Sequence, residues 1–241
     1  MLSIVNCYRF LNKLLEKILL FEQSCILCHV SCEQQICADC YTALPWTQLR
    51  PACPICRLYL TPKEIRCSNC SRNNFHFNQI ICGFEYAFPL DKLLHHLKYQ
   101  GKIEYSRLLS HLFWAGIAVD CYPLPDLIIA VPLHRHKQQQ RGFNQVDELL
   151  REFSQRHPEV RQLSIKRHKE TVPQATLKRE ERIINLAGAF FIDSDLKQQH
   201  IAIVDDVVTT ATTVNELAQQ CRRLGAKRID VWCLMRTQIT T

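Results

Sequence analysis

Four apolar residues, Ile201, Ala202, Ile203 and Val204, follow one another without alternation. An unbroken apolar run of this length predicts a strand buried on both faces, as in a parallel sheet. Two carboxylates come next, Asp205 and Asp206, and then Thr209, Thr210, Thr212 and Thr213. From about Thr212 the apolar positions Val214, Leu217, Ala218, Cys221 and Leu224 recur at helical spacing, and Gly225 is a natural stop. The stretch therefore reads strand, polar loop, helix. Ligands of open α/β sheets bind at that carboxyl end.

The same patterning extends along the chain. Residues 78–88 and 127–133 predict strands, as do 190–193 and 228–234. Helical spacing covers 90–99, 103–119 and 143–157. Strands alternating with helices predict an α/β fold with a parallel sheet. Residues 1–21 read as an amphipathic helix with Ile4, Tyr8, Leu11, Leu15 and Ile18 on one face. Such a helix packs on its own protein, or meets a membrane surface or a partner. Arg9, Lys13, Glu16 and Lys17 interrupt it, and it is too short and too charged to span a bilayer or act as a signal peptide. A cytoplasmic protein without a membrane span is expected.

Composition changes the picture at one point. The chain has 14 cysteines, and in a reducing cytosol metal binding rather than disulfide formation is the default explanation. Eight of them form C-x-x-C pairs: Cys25 and Cys28, Cys37 and Cys40, Cys53 and Cys56, Cys67 and Cys70. A C-x-x-C turn aims two sulfurs at a point about 2.3 Å away, and two turns complete a tetrahedral Zn²⁺ site. Two structural zinc ions are expected. Sequential grouping is the simplest, while spacing alone also permits an interleaved one. His29 and Cys32 read as bystanders. The expected organisation is a terminal helix (1–22), a double cysteine module (23–77) and an α/β domain (78–241).

The formal net charge is +7. Zinc-bound thiolates would lower it to about +3, so the total says little about nucleic acid. Its distribution says more. Residues 134–182 hold 12 Lys and Arg against 7 Asp and Glu. That band suits polyphosphate, nucleic acid or an acidic partner, and equally a solvated face.

The chemistry of 205–213 is that of a ribose phosphate site. Helix N-terminal amides and threonine hydroxyls suit a phosphate. Two carboxylates would repel it, and so face a sugar diol or hydrated Mg²⁺. The alternative is a capped core helix after an acidic turn.

The run VDDVVTTATT resembles the phosphoribosyl pyrophosphate (PRPP) loop of type I phosphoribosyltransferases. More narrowly, the chain resembles the ComF family of competence-associated proteins. Residues 204–210 and Thr213 match that family's pattern, whereas Ala211 stands where it has Gly and Thr212 where it has Ala. Further matches are L-K-Y-x-G-K at 97–102, Pro132, Leu133 and R-G-F-N-Q at 141–145, and the spaced set Gln174, Leu177, Arg182, Asn185 and 188–190. The paired cysteines resemble the family's N-terminal double zinc ribbon. The resemblance covers almost all of 25–236.

It implies a type I phosphoribosyltransferase-like sheet flanked by helices, with a small N-terminal zinc-ribbon module. PRPP with Mg²⁺ would bind Asp205, Asp206, Val207, Val208, Thr209, Thr210, Ala211, Thr212 and Thr213, with Asp205 and Asp206 catalytic. The pyrophosphate would meet Leu133, His134, Arg135, Lys137 and Arg141, under a lid carrying Gln174 and Arg182. The family role is natural transformation: handling incoming single-stranded DNA at the cytoplasmic side of the inner membrane, with competence proteins such as a DNA-translocating helicase or ATPase. Three classes of activity stay open: a phosphoribosyl-transferring enzyme with unknown acceptor, a PRPP-binding protein without turnover, and a zinc-ribbon adaptor for nucleic acid or protein with a catalytically silent domain.

Overall fold

The computed structural model describes residues 23–133, 139, 141–167 and 190–238. The expected helix at 1–22, the candidate phosphate residues His134, Arg135 and Lys137, and the lid residues Gln174 and Arg182 lie outside them. Packing divides the chain into two compact units, 1–44 and 45–241.

In the first unit a short antiparallel hairpin, β1 (Gln23–Ser24) and β2 (Ser31–Cys32), precedes helix α1 (Ala38–Thr42). The hairpin turn is a cysteine knuckle. The Cys25 N–H donates to the Val30 carbonyl at 2.8 Å, the His29 N–H returns to the Cys25 carbonyl at 2.8 Å, and His29 adopts φ 62°. Cys37 then sits at the N-cap of α1.

The second unit repeats the device. The Cys53 N–H donates to the Leu58 carbonyl at 2.7 Å and the Arg57 N–H to the Cys53 carbonyl at 2.9 Å, with Arg57 at φ 58°. Cys67 caps helix α2 (Ser68–Arg72), where its sulfur accepts the Cys70 N–H. The internal repeat expected from the cysteine pairs is therefore a repeat of backbone hydrogen bonds as well.

The remaining chain builds the sheet. Strand β3 (Gln79–Glu85) leads to helices α3 (Leu90–Gln100) and α4 (Glu104–Ile117), then to β4 (Leu127–Ala130). Helices α5 (Gln145–Leu149) and α6 (Arg151–Arg156) follow, then β5 (Arg161–Leu163), β6 (Lys166–Arg167) and β7 (Phe190–Phe191). Strand β8 (His200–Val208), helix α7 (Thr212–Arg223) and β9 (Arg228–Arg236) complete the unit. Five strands form one sheet in the order β3-β9-β8-β4-β5, every neighbouring pair parallel. Ile201 to Val204 are fully buried at its centre, as an unbroken apolar run requires. Helix α4 packs close on β3 because two glycines face each other: a Cβ on Gly83 would lie 2.6 Å from the Gly116 Cα.

Four details differ from the sequence pattern. β8 runs through both aspartates to Val208, because β9 pairs with it as far as Arg236. The helix expected at 143–157 breaks at Leu150. There the buried Ser110 hydroxyl donates to the Leu149 carbonyl at 3.0 Å and accepts the Glu152 N–H at 2.9 Å, so it replaces main-chain partners. Strand β5 escaped the pattern, being a short edge strand with Arg161 and Gln162 exposed. Residues Phe190–Phe191 pair with β6 in an antiparallel ribbon and not with the main sheet.

Candidate functional site

Because side chains alternate along a strand, Asp205 and Asp206 leave β8 on opposite faces. Asp206 is 4% exposed and receives two donors on one oxygen. The Lys98 Nζ lies 2.8 Å from its Oδ2, and the Gln145 Nε2 donates to the same atom at 2.5 Å. Lys98 comes from α3 and the buried Gln145 from the first turn of α5. Gln145 in turn accepts from the Arg141 guanidinium at 2.9 Å, and that guanidinium lies 4.8 Å from the centre of the exposed Tyr99 ring. Two separate segments, α3 and the start of α5, thus converge on one carboxylate of β8.

Asp205 accepts the N–H of Asp206 at 2.8 Å. Burial, then the neighbouring Asp206 charge, push its carboxyl up to about 8, against the pull of Lys98. Asp205 keeps partial solvent contact, and the upward direction follows from the adjacent carboxylate even so.

The loop beyond the strand is short. Thr209 is exposed, and the hydroxyls of Thr210 and Thr212 lie 2.8 Å apart. Ala211 caps α7 with φ 63° and ψ 10°, left-handed geometry that glycine adopts freely. Its carbonyl accepts the Asn215 N–H at 2.9 Å, which opens the helix. Val208 and Ala211 face the core, while Val207, Thr210, Thr212 and Thr213 are half-buried around the turn. Beneath it lies Arg236, wholly buried, whose NH1 donates to the carbonyls of Val208 at 2.8 Å and of Thr209. Leu133 is half-buried just past β4.

The eight paired cysteines form two groups, Cys25, Cys28, Cys37 and Cys40, and Cys53, Cys56, Cys67 and Cys70. In each, the sulfurs all lie within 4.8 Å of one another, so the grouping is sequential. Burial raises Cys53, but main-chain N–H groups of Cys67, Cys56 and Ile55 outweigh it and bring the thiol down to about 7. Burial, with Cys67 and Cys53 nearby, pushes Cys56 up to about 12, and Cys70 is pushed up as well. Four crowded sulfurs cannot all ionise without a cation among them, and the donor set fits structural Zn²⁺. Four protein ligands leave no open position for catalysis.

Lys98, Gln145 and Arg236 were not singled out as site residues from the sequence. Lys98 and Gln145 stand inside the L-K-Y-x-G-K and R-G-F-N-Q runs, which was the available signal. Arg236 ends an apolar strand and carried none.

A parallel sheet whose central strand delivers two carboxylates and a threonine turn to a helix N-terminus makes an α/β domain with a polar site at the carboxyl end of its strands, here accompanied by two Cys₄ groups. The chain is 35% identical over 207 residues to the DNA utilization protein YhgH of Shigella flexneri, covering 84% of this chain and 90% of that one. It is 30% identical over 229 residues to Competence protein F of Haemophilus influenzae, covering 90% and 98%. It belongs to this competence protein F/YhgH (ComF) family. Among solved structures, a purine phosphoribosyltransferase from Pyrococcus horikoshii matches at 23% identity over 55% of this chain and 77% of that one, with a TM-score of 0.34. No family model matches the chain. Among the described residues no helix is long and apolar enough to cross a membrane.

Proposed function

We propose that residues 205–213 bind PRPP with Mg²⁺ and that the protein serves DNA utilization in competence. The observation that carries the reading is the pairing of Asp205 and Asp206 at the end of β8 with a threonine turn opening α7. The helix N-terminus and the hydroxyls of Thr209, Thr210, Thr212 and Thr213 would take the 5-phosphate. Asp205 and Asp206 would face the ribose diol and hydrated Mg²⁺, whose charge offsets that of the pyrophosphate. Arg141, with His134, Arg135, Lys137 and the backbone near Leu133, would meet the pyrophosphate, and Gln174 and Arg182 would close over it. Binding requires Asp206 to exchange its Lys98 ion pair for ligand contacts, which leaves that ammonium free to meet a phosphate oxygen.

The relatives' names, DNA utilization protein and Competence protein F, support a DNA-related role. Our reading within it is that the protein handles single-stranded DNA on the cytoplasmic side of the inner membrane, with a translocating helicase or ATPase as partner. In this division of labour 1–22 is the amphipathic N-terminal segment, 23–77 the zinc module and 78–241 the ligand domain. The second reading is an adaptor whose phosphoribosyltransferase domain is silent. The observation favouring it is Ala211, a Cβ at the very turn a phosphate must approach.

Calorimetric titration with PRPP and Mg²⁺, beside ribose 5-phosphate and oligonucleotides, tests the proposal. Micromolar PRPP binding that requires Mg²⁺ is expected, and pyrophosphate release on adding an acceptor would make the protein an enzyme. Strand binding with a steep salt dependence and no PRPP binding would establish the adaptor instead.

A further inference from the structure

Arg236 is the last residue of β9 and has no exposed surface. Its Nε donates to the Cys56 carbonyl at 2.9 Å. Its NH1 donates to the carbonyls of Val208 at 2.8 Å, of Thr209, and of Thr237 at 3.0 Å, and its NH2 has no partner. Among the described residues no carboxylate lies within ion-pair distance of it. A buried cation held only by carbonyl groups is costly unless a negative charge lies near. The second cysteine group supplies one: four thiolates around Zn²⁺ carry a net charge of about −2.

The guanidinium therefore joins two features. One is the knuckle Cys53–Cys56, whose two cysteines are fully buried and belong to the same apolar core as Val208 and Ala211. The other is the pair of carbonyls where β8 gives way to the threonine turn. Two further bonds fasten the knuckle to this end of the sheet: the Gln238 side chain accepts the Tyr59 N–H at 2.9 Å and donates to the Arg57 carbonyl at 3.2 Å. The Ile80 N–H, from β3, donates to the Ile55 carbonyl at 2.7 Å.

We propose that Arg236 is a positioning residue that ties the 208–213 turn to the second cysteine group, so that the order of the turn depends on metal at Cys53, Cys56, Cys67 and Cys70. The inference rests on the reading of that turn as the phosphate site. It gives the second metal a task the first does not have: it fixes the turn whose amides and hydroxyls receive the anion. A lysine cannot replace the arginine. Only the planar fork of a guanidinium reaches the Cys56 carbonyl on one side and the turn carbonyls on the other.

Amide hydrogen exchange of the full chain without ligand tests this directly. The arms are the wild type, the wild type after zinc removal by a chelator, Arg236→Lys, and Cys40→Ser as a control in the first group. Exchange at 208–213 should accelerate by roughly tenfold in the chelated protein and in Arg236→Lys, while 201–204 keep their protection and Cys40→Ser leaves the turn unchanged. Unchanged protection of 208–213 in Arg236→Lys overturns the proposal. So does equal acceleration of 201–204, which would make Arg236 a general core residue. PRPP titration of the wild type separates the two ideas: no binding alongside an accelerated turn removes the ligand reading and keeps the tie, and binding alongside an unchanged turn does the reverse.

Discussion

The Lys98 ammonium and the Asp206 carboxylate lie 2.8 Å apart, nearly shielded from water, with Gln145 bonded to the same carboxylate oxygen. Lys98 belongs to α3 and Asp206 to β8, so the pair connects elements that are remote in sequence. From the sequence alone, neutralising both aspartates should spare the unliganded fold, because removing two like charges relieves repulsion. The pair revises that for Asp206, whose loss strands a lysine.

Breaking a shielded ion pair from one side leaves an uncompensated charge. Lys98→Met should therefore lower stability by about 2–4 kcal/mol, and Lys98→Met with Asp206→Asn should recover most of it. Urea denaturation of the single and double variants measures both. Additive losses would show that the two groups do not interact.

Asp205 contributes a pH dependence of its own. Its carboxyl is raised from 3.8 to about 8 in the folded protein, by burial and by Asp206. Between those values the folded state holds a proton that the unfolded state has lost, so stability falls as pH rises through the window. Asp205→Asn should flatten that fall and match or exceed the wild type at the alkaline end. Urea midpoints from pH 5 to 9 report it. Divalent cation binding at the same place should release a proton, visible as a buffer-dependent heat. Wild-type stability that rises with pH relative to Asp205→Asn would contradict the assignment.

The centre of the sheet was legible in the sequence because apolar runs such as 201–204 encode burial directly. The carboxylates, the threonine turn and the cysteine pairs were legible because their chemistry is local. What stayed hidden was non-local. Ser110 breaks a helix forty residues away, and Lys98 pairs with Asp206 across the fold. Arg236 reaches Cys56, 180 positions earlier. None of these leaves a periodicity, since a polar side chain finding its partner depends on the packed backbone. Edge strand β5 was hidden for another reason: three residues, two of them polar, carry too little pattern.

The cysteine groups should hold two zinc ions per chain, counted by elemental analysis. Their losses should differ. Cys67 is buried in the same core as Ile80 and Val208, so Cys67→Ser should unfold part of the larger unit. Cys37 belongs to the 1–44 unit, and Cys37→Ser should melt only that unit. Calorimetric scans of the two variants distinguish them. A scan in which both variants lose the main transition equally would show that the metals act as one.

Ala211 adopts φ 63° with its side chain buried, where an L-residue is strained by about 1 kcal/mol relative to glycine. Ala211→Gly removes that strain from the folded state but gives the unfolded chain more freedom, so the net gain in stability should stay within about 1 kcal/mol. The larger effect should appear on the ligand. Without the Cβ a phosphate can approach the amides at the start of α7 more closely, and Ala211→Gly should tighten PRPP binding about fivefold. Thr212 follows directly, and its hydroxyl, 2.8 Å from that of Thr210, is oriented by that contact. On the proposed reading, in which the hydroxyl would donate to the phosphate, Thr212→Ala in the glycine background should then weaken binding again. Titration of the three proteins with PRPP and Mg²⁺ decides it. Equal affinity of wild type and Ala211→Gly would show that the backbone here is already compatible with alanine and that the substitution carries no cost in binding.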